Sequence, residues 1–432
     1  MTIGEEGVGL QGGTRNRTKL VHDAYLERGE VVSAFFHANA DRLAHLCHAM
    51  ARRFARDGVL IAFGPGAAAS DAQHVSVEFV HPVIVGKRAL PALALPNDIV
   101  STLALAYGDR RDAFSHQLLT LGAPGDIALG MVHSPHDPGA DSVAAALREA
   151  EAAGMLAIFL GGGSTGAASA EHRFEVASDD PFIVQEVHET LYHVLWELVH
   201  VFFEHKGLLV DQGGASSPGR AHDTGRSSFL YPFLKGAETD LAGVVSEISR
   251  SILQKADDVV ALRAGSMDPE GLLETAGLIA GRIEGGGKVL VFGNGGSATD
   301  AQDLVGDLVA PPCDGSPIRA VSLTNDSAVL TAIGNDIGFD NVFARQVIAY
   351  GRPGDVAVAI STSGGSRNVL AALDEARRRG LLTVGFAGYG GGRLAEVCDR
   401  CHTVDADYIP RIQEAQATQY HVLRGLLNDL LG

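Results

Sequence analysis

In the second half of the chain, short apolar runs alternate with stretches of helical spacing. GLLETAGLIAGRI repeats its apolar residues every three or four positions, and KVLVFG just after it is continuously apolar. That order predicts a helix followed by a buried strand. GNGGS then turns the chain and ATDAQDLVGDLV resumes the helical spacing. PIRAVSLT, DVAVAIS and LTVGFAG are three more short apolar runs, each followed by a turn and a helical stretch. Strand and helix in alternation imply the α/β class, a parallel sheet with helices on both faces.

The first half repeats this pattern, and the likeness reaches individual residues. IAFGPGAAASDAQHVSVEFV, from Ile61, lies against LVFGNGGSATDAQDLVGDLV, from Leu290. Phe63, Gly64, Gly66, Ala69, Asp71, Ala72, Gln73 and Val80 recur 229 residues later as Phe292, Gly293, Gly295, Ala298, Asp300, Ala301, Gln302 and Val309. GDIALGM from Gly125 matches GDVAVAI from Gly354. VQEVHETLYHVL around Gln185 matches IQEAQATQYHVL around Gln413, with an offset of 228. Three landmarks in one order at a nearly constant offset identify a tandem duplication. Between the copies, DQGGASSPGRAHDTGRSS (residues 211–228) is rich in Gly and Ser and reads as a flexible linker. The expected organisation is an N-terminal extension over 1–29, a domain over 30–206, a linker over 207–235 and a second domain over 236–432. About 200 residues suffice for each domain to bury its own core.

Composition narrows the function classes. The 432 residues carry 34 Lys+Arg against 52 Asp+Glu, a net charge of −18. Phosphate-rich surfaces need clustered cations, so neither a nucleic-acid nor an anionic-membrane partner is expected. With 46% hydrophobic and 20% charged residues the chain reads as packed rather than disordered. Cys47, Cys313, Cys398 and Cys401 are too few for a disulfide framework. The first residues lack the apolar core of a signal peptide, and no apolar run reaches spanning length, so a cytoplasmic protein is expected.

Two strand ends in the second copy are rich in Gly and hydroxyls. Gly293-Asn294-Gly295-Gly296-Ser297 and Ser361-Thr362-Ser363-Gly364-Gly365-Ser366 each follow a predicted strand and open a helix. Glycines let backbone N–H groups approach an anion, hydroxyls add donors, and the helix start adds positive potential. The GKS ending of a triphosphate loop is missing, which favours a monophosphate.

FGNGGSATDAQ, AIGNDIGFDNVFARQV, AISTSGGS and RIQE, with a His eight residues after that Gln, resemble the sugar isomerase (SIS) domain. The likeness is greatest to the phosphoheptose isomerases, which convert sedoheptulose 7-phosphate to the aldose D-glycero-D-manno-heptose 7-phosphate. It covers nearly all of 236–432 and, more weakly, 30–206. The resemblance implies two tandem SIS domains, each a doubly wound, flavodoxin-like sheet flanked by helices. It also implies a sugar phosphate as substrate and Zn2+ as cofactor. Family isomerases assemble as tetramers, so a homodimer of this chain would supply the same four domains. In the family the zinc is held by a His and a Glu four residues apart, and by a Gln and a His eight apart. The Glu and the second His also move protons.

Carried onto this chain, the pattern is uneven. His74, Glu78, Gln185 and His193 fall at the metal positions of the first copy, but Pro65 and Ala68 replace the Asn and Ser of its loop, and VHSPHDPGADS replaces the second hydroxyl loop. The second copy keeps Asn294, Gly295, Gly296, Ser297, Ser361, Thr362, Ser363 and Ser366 for the phosphate, with Gln413 and His421. Asp303 and Asp307 stand at its first metal pair, giving a second metal set of Asp303, Asp307, Gln413 and His421. In an enediol mechanism Glu78 or Asp307 would take the proton, and His193 or His421 would pass it among the oxygens, with a metal polarising the carbonyl. The alternatives are division of labour between the copies, or one active copy with a structural partner. A further alternative is a phosphosugar sensor or scaffold without catalysis, like the DnaA-binding initiator-associating protein of the same family.

Other features have plainer readings. His188-Glu189 with His193 has the wrong spacing for a zincin helix. Cys398 and Cys401 form one CxxC without a second pair, which reads as reduced thiols. Arg377, Arg378 and Arg379 fit a helix C-terminus.

Overall fold

The computed structural model describes residues 6–83, 87–106, 113–163, 170–209, 240–312 and 315–432. The stretch 211–228 read as a linker lies outside these residues, as does Cys313. Among the described residues no helix is long and apolar enough to cross a membrane.

Two five-stranded parallel sheets form the frame. The first comprises β1 (Leu60–Phe63), β2 (Ala92–Ala94), β3 (Ile127–Val132), β4 (Leu156–Gly162) and β5 (His172–Val176), in the order β2-β1-β3-β4-β5. The second comprises β6 (Val289–Phe292), β7 (Ala320–Ser322), β8 (Val356–Ser361), β9 (Leu382–Ala387) and β10 (Arg400–Thr403). Its order, β7-β6-β8-β9-β10, is the same when read from the matching edge, and every pairing is parallel. This is the doubly wound, flavodoxin-like order, and ligands bind where it reverses, between the first and third strands of each sheet.

Strand alternation explains how the second sheet is covered. Val289 and Val291 of β6 point into one core with the helices Pro269–Glu284, Gly296–Val309 and Ile409–Leu431. Leu290 and Phe292, one residue out of step, enter the other core with the helices Val342–Tyr350 and Arg367–Arg378. Both faces are buried, so the strand reads as a continuous apolar run. The helices carrying the predicted acid–base residues therefore share one face.

The Gly-Asp landmark kept in both copies has a structural cause. Asp126 accepts from the backbone N–H groups of Val59 (2.8 Å) and Ala123 (2.7 Å). Asp355 accepts from those of Lys288 (3.0 Å) and Arg352 (2.9 Å) at the matching places. Each carboxylate ties the entrance of the third strand to the entrance of the first.

The chain divides into two compact units, Val31–Asp258 and Val259–Gly432 with Met1–Glu30, called here the N-terminal and C-terminal units. Residues 1–29, set apart above as an extension, are helical from Glu6 and give Val21 and Tyr25 to the core of the C-terminal unit. The helix Leu241–Gly265 gives its first part to the N-terminal unit, where Lys255 pairs with Glu197 at 2.7 Å.

Candidate functional site

The hydroxyl-rich loops of the C-terminal unit leave β6 and β8, neighbours at the reversal point of the sheet. Each enters a helix, Gly296–Val309 or Arg367–Arg378. Gly293 is forced by packing: a Cβ there would lie 2.4 Å from the Ser297 carbonyl oxygen and 2.8 Å from that of Ile360. Gly295, at φ +58, takes the left-handed conformation that starts the helix. Asn294 and Asn368 join the two loops through a reciprocal amide pair at 2.9 and 2.8 Å. Ser297 and Ser361 are buried at the strand ends, Thr362 and Ser366 half-buried, and Ser363 exposed.

The N-terminal unit builds the same corner with other chemistry. Pro65 stands where the C-terminal unit has Asn294, and Gly139 where it has Asn368. A Cβ on Gly139 would come within 2.5 Å of the Pro65 ring, so apolar packing replaces the amide pair. At the place of Ser366 stands Asp137, whose carboxylate accepts from the backbone N–H groups of His133 and Ser134, both at 3.1 Å. Those N–H groups correspond to Thr362 and Ser363. The loop whose counterpart was expected to hold a phosphate is here filled by the chain's own anion.

Behind the C-terminal loops, the helices Gly296–Val309 and Ile409–Leu431 bring Asp303, Asp307 and His421 together. Their ligand atoms lie within 4.8 Å of one another and all three are buried. His421 Nε2 lies 3.3 Å from Asp303 Oδ2 and 3.8 Å from Asp307 Oδ2. Tyr420 donates to Asp303 at 3.0 Å. Arg424 donates through Nε to the Asp307 carbonyl at 3.0 Å, tying the two helices at this point. Gln413 is buried one helical stretch before His421.

In the N-terminal unit, the helices Ala68–Val80 and Pro181–Glu204 bring His74 and His193 to 3.4 Å between their Nε2 atoms. Glu78 Oε1 is 3.8 Å from His74 Nε2. Tyr192 is 3.0 Å from His74 Nδ1, repeating the bond of Tyr420 to Asp303. Burial, and next the neighbouring His193, hold the His74 imidazole well below its ordinary pKa, hence neutral. A buried neutral imidazole keeps the lone pair that a metal needs. Glu189 joins His74 and His193 in a group whose ligand atoms lie within 4.8 Å. Sequence spacing had set Glu189 aside as part of a broken zincin pattern, yet Glu189 and His193 are four apart and share a helix face. The Gln185 amide nitrogen lies 3.5 Å from Asp71 Oδ1.

The CxxC pair stands apart from both corners. Burial pushes the Cys401 thiol up to about 11, and burial with Cys401 and Asp399 raises Cys398 further. Thiols so protonated at neutral pH are poor nucleophiles and ligands.

Comparison with known proteins follows the same division into two copies. The sequence profile described as SIS domain matches residues 25–162 and 260–388. The phosphoheptose isomerase of Rhodospirillum rubrum is 45% identical over 183 residues, which is 42% of this chain and 96% of that protein. That of Desulfovibrio desulfuricans is 52% identical over 153 residues, 35% of this chain and 73% of that protein. The C-terminal domain of glucosamine-fructose-6-phosphate aminotransferase from Francisella tularensis superposes with a TM-score of 0.58. The superposition covers 95% of each chain at 12% identity, a likeness of fold alone.

Proposed function

The chain belongs to the SIS domain family, and from that premise we propose that it is a phosphosugar aldose–ketose isomerase working in its C-terminal unit. One observation carries this reading. In that unit the first hydroxyl-rich loop opens the helix Gly296–Val309, and the same helix carries the buried carboxylates Asp303 and Asp307 that meet His421 of the helix Ile409–Leu431. Ser297, at its start, would hold the phosphate with Ser361, Thr362, Ser363 and Ser366. Asp307, nearly three turns further, would face the reacting carbons. Remote binding energy then orients the sugar for proton transfer.

The proposed substrate is sedoheptulose 7-phosphate, giving D-glycero-D-manno-heptose 7-phosphate, as the names of the relatives suggest. Asp307 would take the proton from the carbon beside the carbonyl, and His421 would carry a proton between the two oxygens. Asp303 is oriented by Tyr420 and would hold the His421 ring. The donor set Asp303, Asp307 and His421 suits a divalent ion, as does the His74, Glu189 and His193 set, with Glu78 3.8 Å from His74 and neutral His74 favouring zinc. Such an ion would polarise the substrate carbonyl when bound.

The non-catalytic reading keeps one specific support. Asp303 and Asp307 are each a methylene shorter than a Glu, which would draw a base back from the carbon it must reach. Incubation with sedoheptulose 7-phosphate in deuterated water, with zinc added or chelated, separates the two. Aldose formation with deuterium uptake at carbon 2 is expected. Neither product nor exchange under both metal conditions would sink the isomerase reading and leave binding without turnover.

A further inference from the structure

Three side chains of the N-terminal unit converge outside the inherited metal corner. Asp71 comes from the helix Ala68–Val80, His133 from the end of β3, and His188 from the helix Pro181–Glu204. Their ligand atoms lie within 4.8 Å of one another, and their exposures are 3%, 4% and 0%. His133 Nε2 lies 2.5 Å from Asp71 Oδ2, hydrogen-bond distance. The rings of His133 and His188 are 5.5 Å apart. Burial first, and then His133, hold His188 neutral, against a weaker pull from the Gly161 carbonyl. Neither ring nitrogen of His188 makes a hydrogen bond of ordinary geometry among the described residues.

A fully buried imidazole with only the Gly161 carbonyl beside it, outside ordinary hydrogen-bond geometry, recovers little of the hydrogen bonding it had in water. The C-terminal unit shows how the position could have been filled otherwise. Asp71 has its counterpart in Asp300, but His133 stands at the place of Thr362 and His188 at the place of Gln416. Two histidines from different elements thus meet one aspartate in one unit only, and that unit's loop no longer offers free N–H groups to a phosphate.

We propose that Asp71, His133 and His188 form a separate binding site for a divalent cation of the zinc type. Two imidazoles and one carboxylate are a donor set that such ions take, with a fourth position open to water. Binding displaces the proton between His133 and Asp71 to solvent, and the metal takes its place. Gln185, donating to the other oxygen of Asp71, orients the carboxylate from behind. The site does not depend on the isomerase reading, since none of its three residues serves the C-terminal unit.

The test uses the full chain, stripped of metal and carrying His74→Ala, His193→Ala and His421→Ala to remove the two inherited corners. Titration with Co2+ is expected to show one equivalent with visible ligand-field bands. Adding His133→Gln or His188→Gln should weaken that equivalent at least 100-fold. An absent equivalent, or one indifferent to both substitutions, overturns the site. If a variant fails to fold, the unsubstituted chain is read instead by through-bond imidazole nitrogen spectra. Zn2+ should then shift ring nitrogens of both His133 and His188, and unmoved signals overturn the proposal.

Discussion

The loop after β8 has Ser366 where the loop after β3 has Asp137, so the corresponding backbone N–H groups meet a carboxylate in one unit only. Around it the exchanges are paired: Asn294 with Asn368 in one unit, Pro65 with Gly139 in the other. The helix pair behind the loops differs as well, with Asp303 and Asp307 in place of His74 and Glu78. The strand frame, the Gly-Asp tie and the tyrosine bond are unchanged. Duplication thus fixed the scaffold and left the anion seat and the acid–base corner free to diverge. A carboxylate already seated in the N-terminal loop repels a phosphate and uses the N–H groups that would hold it.

The largest expected effect tests which corner does the chemistry. Asp307→Asn keeps the shape and removes the base, so turnover should fall about 100- to 10,000-fold while phosphosugar binding persists. The matching change Glu78→Gln sharpens the comparison. If it costs more turnover than Asp307→Asn, the base belongs to the N-terminal unit.

A second difference lies at the sheet edges. By strand register, Phe174 of β5 opposes Leu160, and His402 of β10 opposes Phe386, so the two occupy one place in the fold. Burial lowers His402 to about 4, with Asp268 pulling weakly the other way, and Thr275 meets its Nε2 at 3.0 Å. Its folded pKa lies below the unfolded value of about 6.5. The neutral imidazole's contribution is therefore whole above pH 6.5, shrinks as the pH falls, and is gone near pH 4. Its size is about 3 kcal/mol. His402→Phe should copy the other unit and abolish that part of the acid sensitivity. Urea unfolding at pH 7 and pH 4, compared between variant and parent, reads it, and an unchanged difference would contradict the assignment.

Asp137→Ser tests the filled loop itself. Two N–H groups lose their acceptor, which should cost the N-terminal unit about 1–3 kcal/mol. Trp196 is the chain's only tryptophan and is buried in that unit, so its fluorescence follows the unfolding. Inorganic phosphate should restore part of the loss in the variant and leave the parent unmoved. A loop indifferent to the substitution would mean that the carboxylate does not hold it.

The fold was readable because strand runs and helical spacing are local, and duplication printed the signal twice. The pairing of His74 with His193 was readable only through the resemblance to the phosphoheptose isomerases, because i, i+4 and i, i+8 spacing groups residues within one helix and does not say which helices meet. Glu189 escaped because the HExxH spacing rule describes one helix, whereas its partner His74 sits on another. His133 and Asp71 are 62 residues apart and meet only through the turn after β3, which no periodicity encodes. Asp137 looked like loop decay, since a sequence does not say that a carboxylate bends back onto two N–H groups. The assignment of Met1–Glu30 to the C-terminal unit likewise depends on packing rather than pattern.

The smallest expected effect probes what the units share. Asp126→Ala and Asp355→Ala each remove one acceptor from two backbone N–H groups, a loss of about 1–3 kcal/mol apiece. Asp355 also pairs with the Lys288 ammonium at 2.5 Å, where the lysine is partly exposed to water. Such a pair adds about 0–1 kcal/mol, so the loss at Asp355 should exceed that at Asp126 by no more than this. Hydrogen exchange of the β3 and β8 amides measures each loss within its own unit. Added salt should narrow the gap, because it screens the lysine pair and leaves the N–H contacts intact. A loss larger at Asp126, or a gap indifferent to salt, would show that the two ties are not equivalent and that divergence reached the frame as well as the sites.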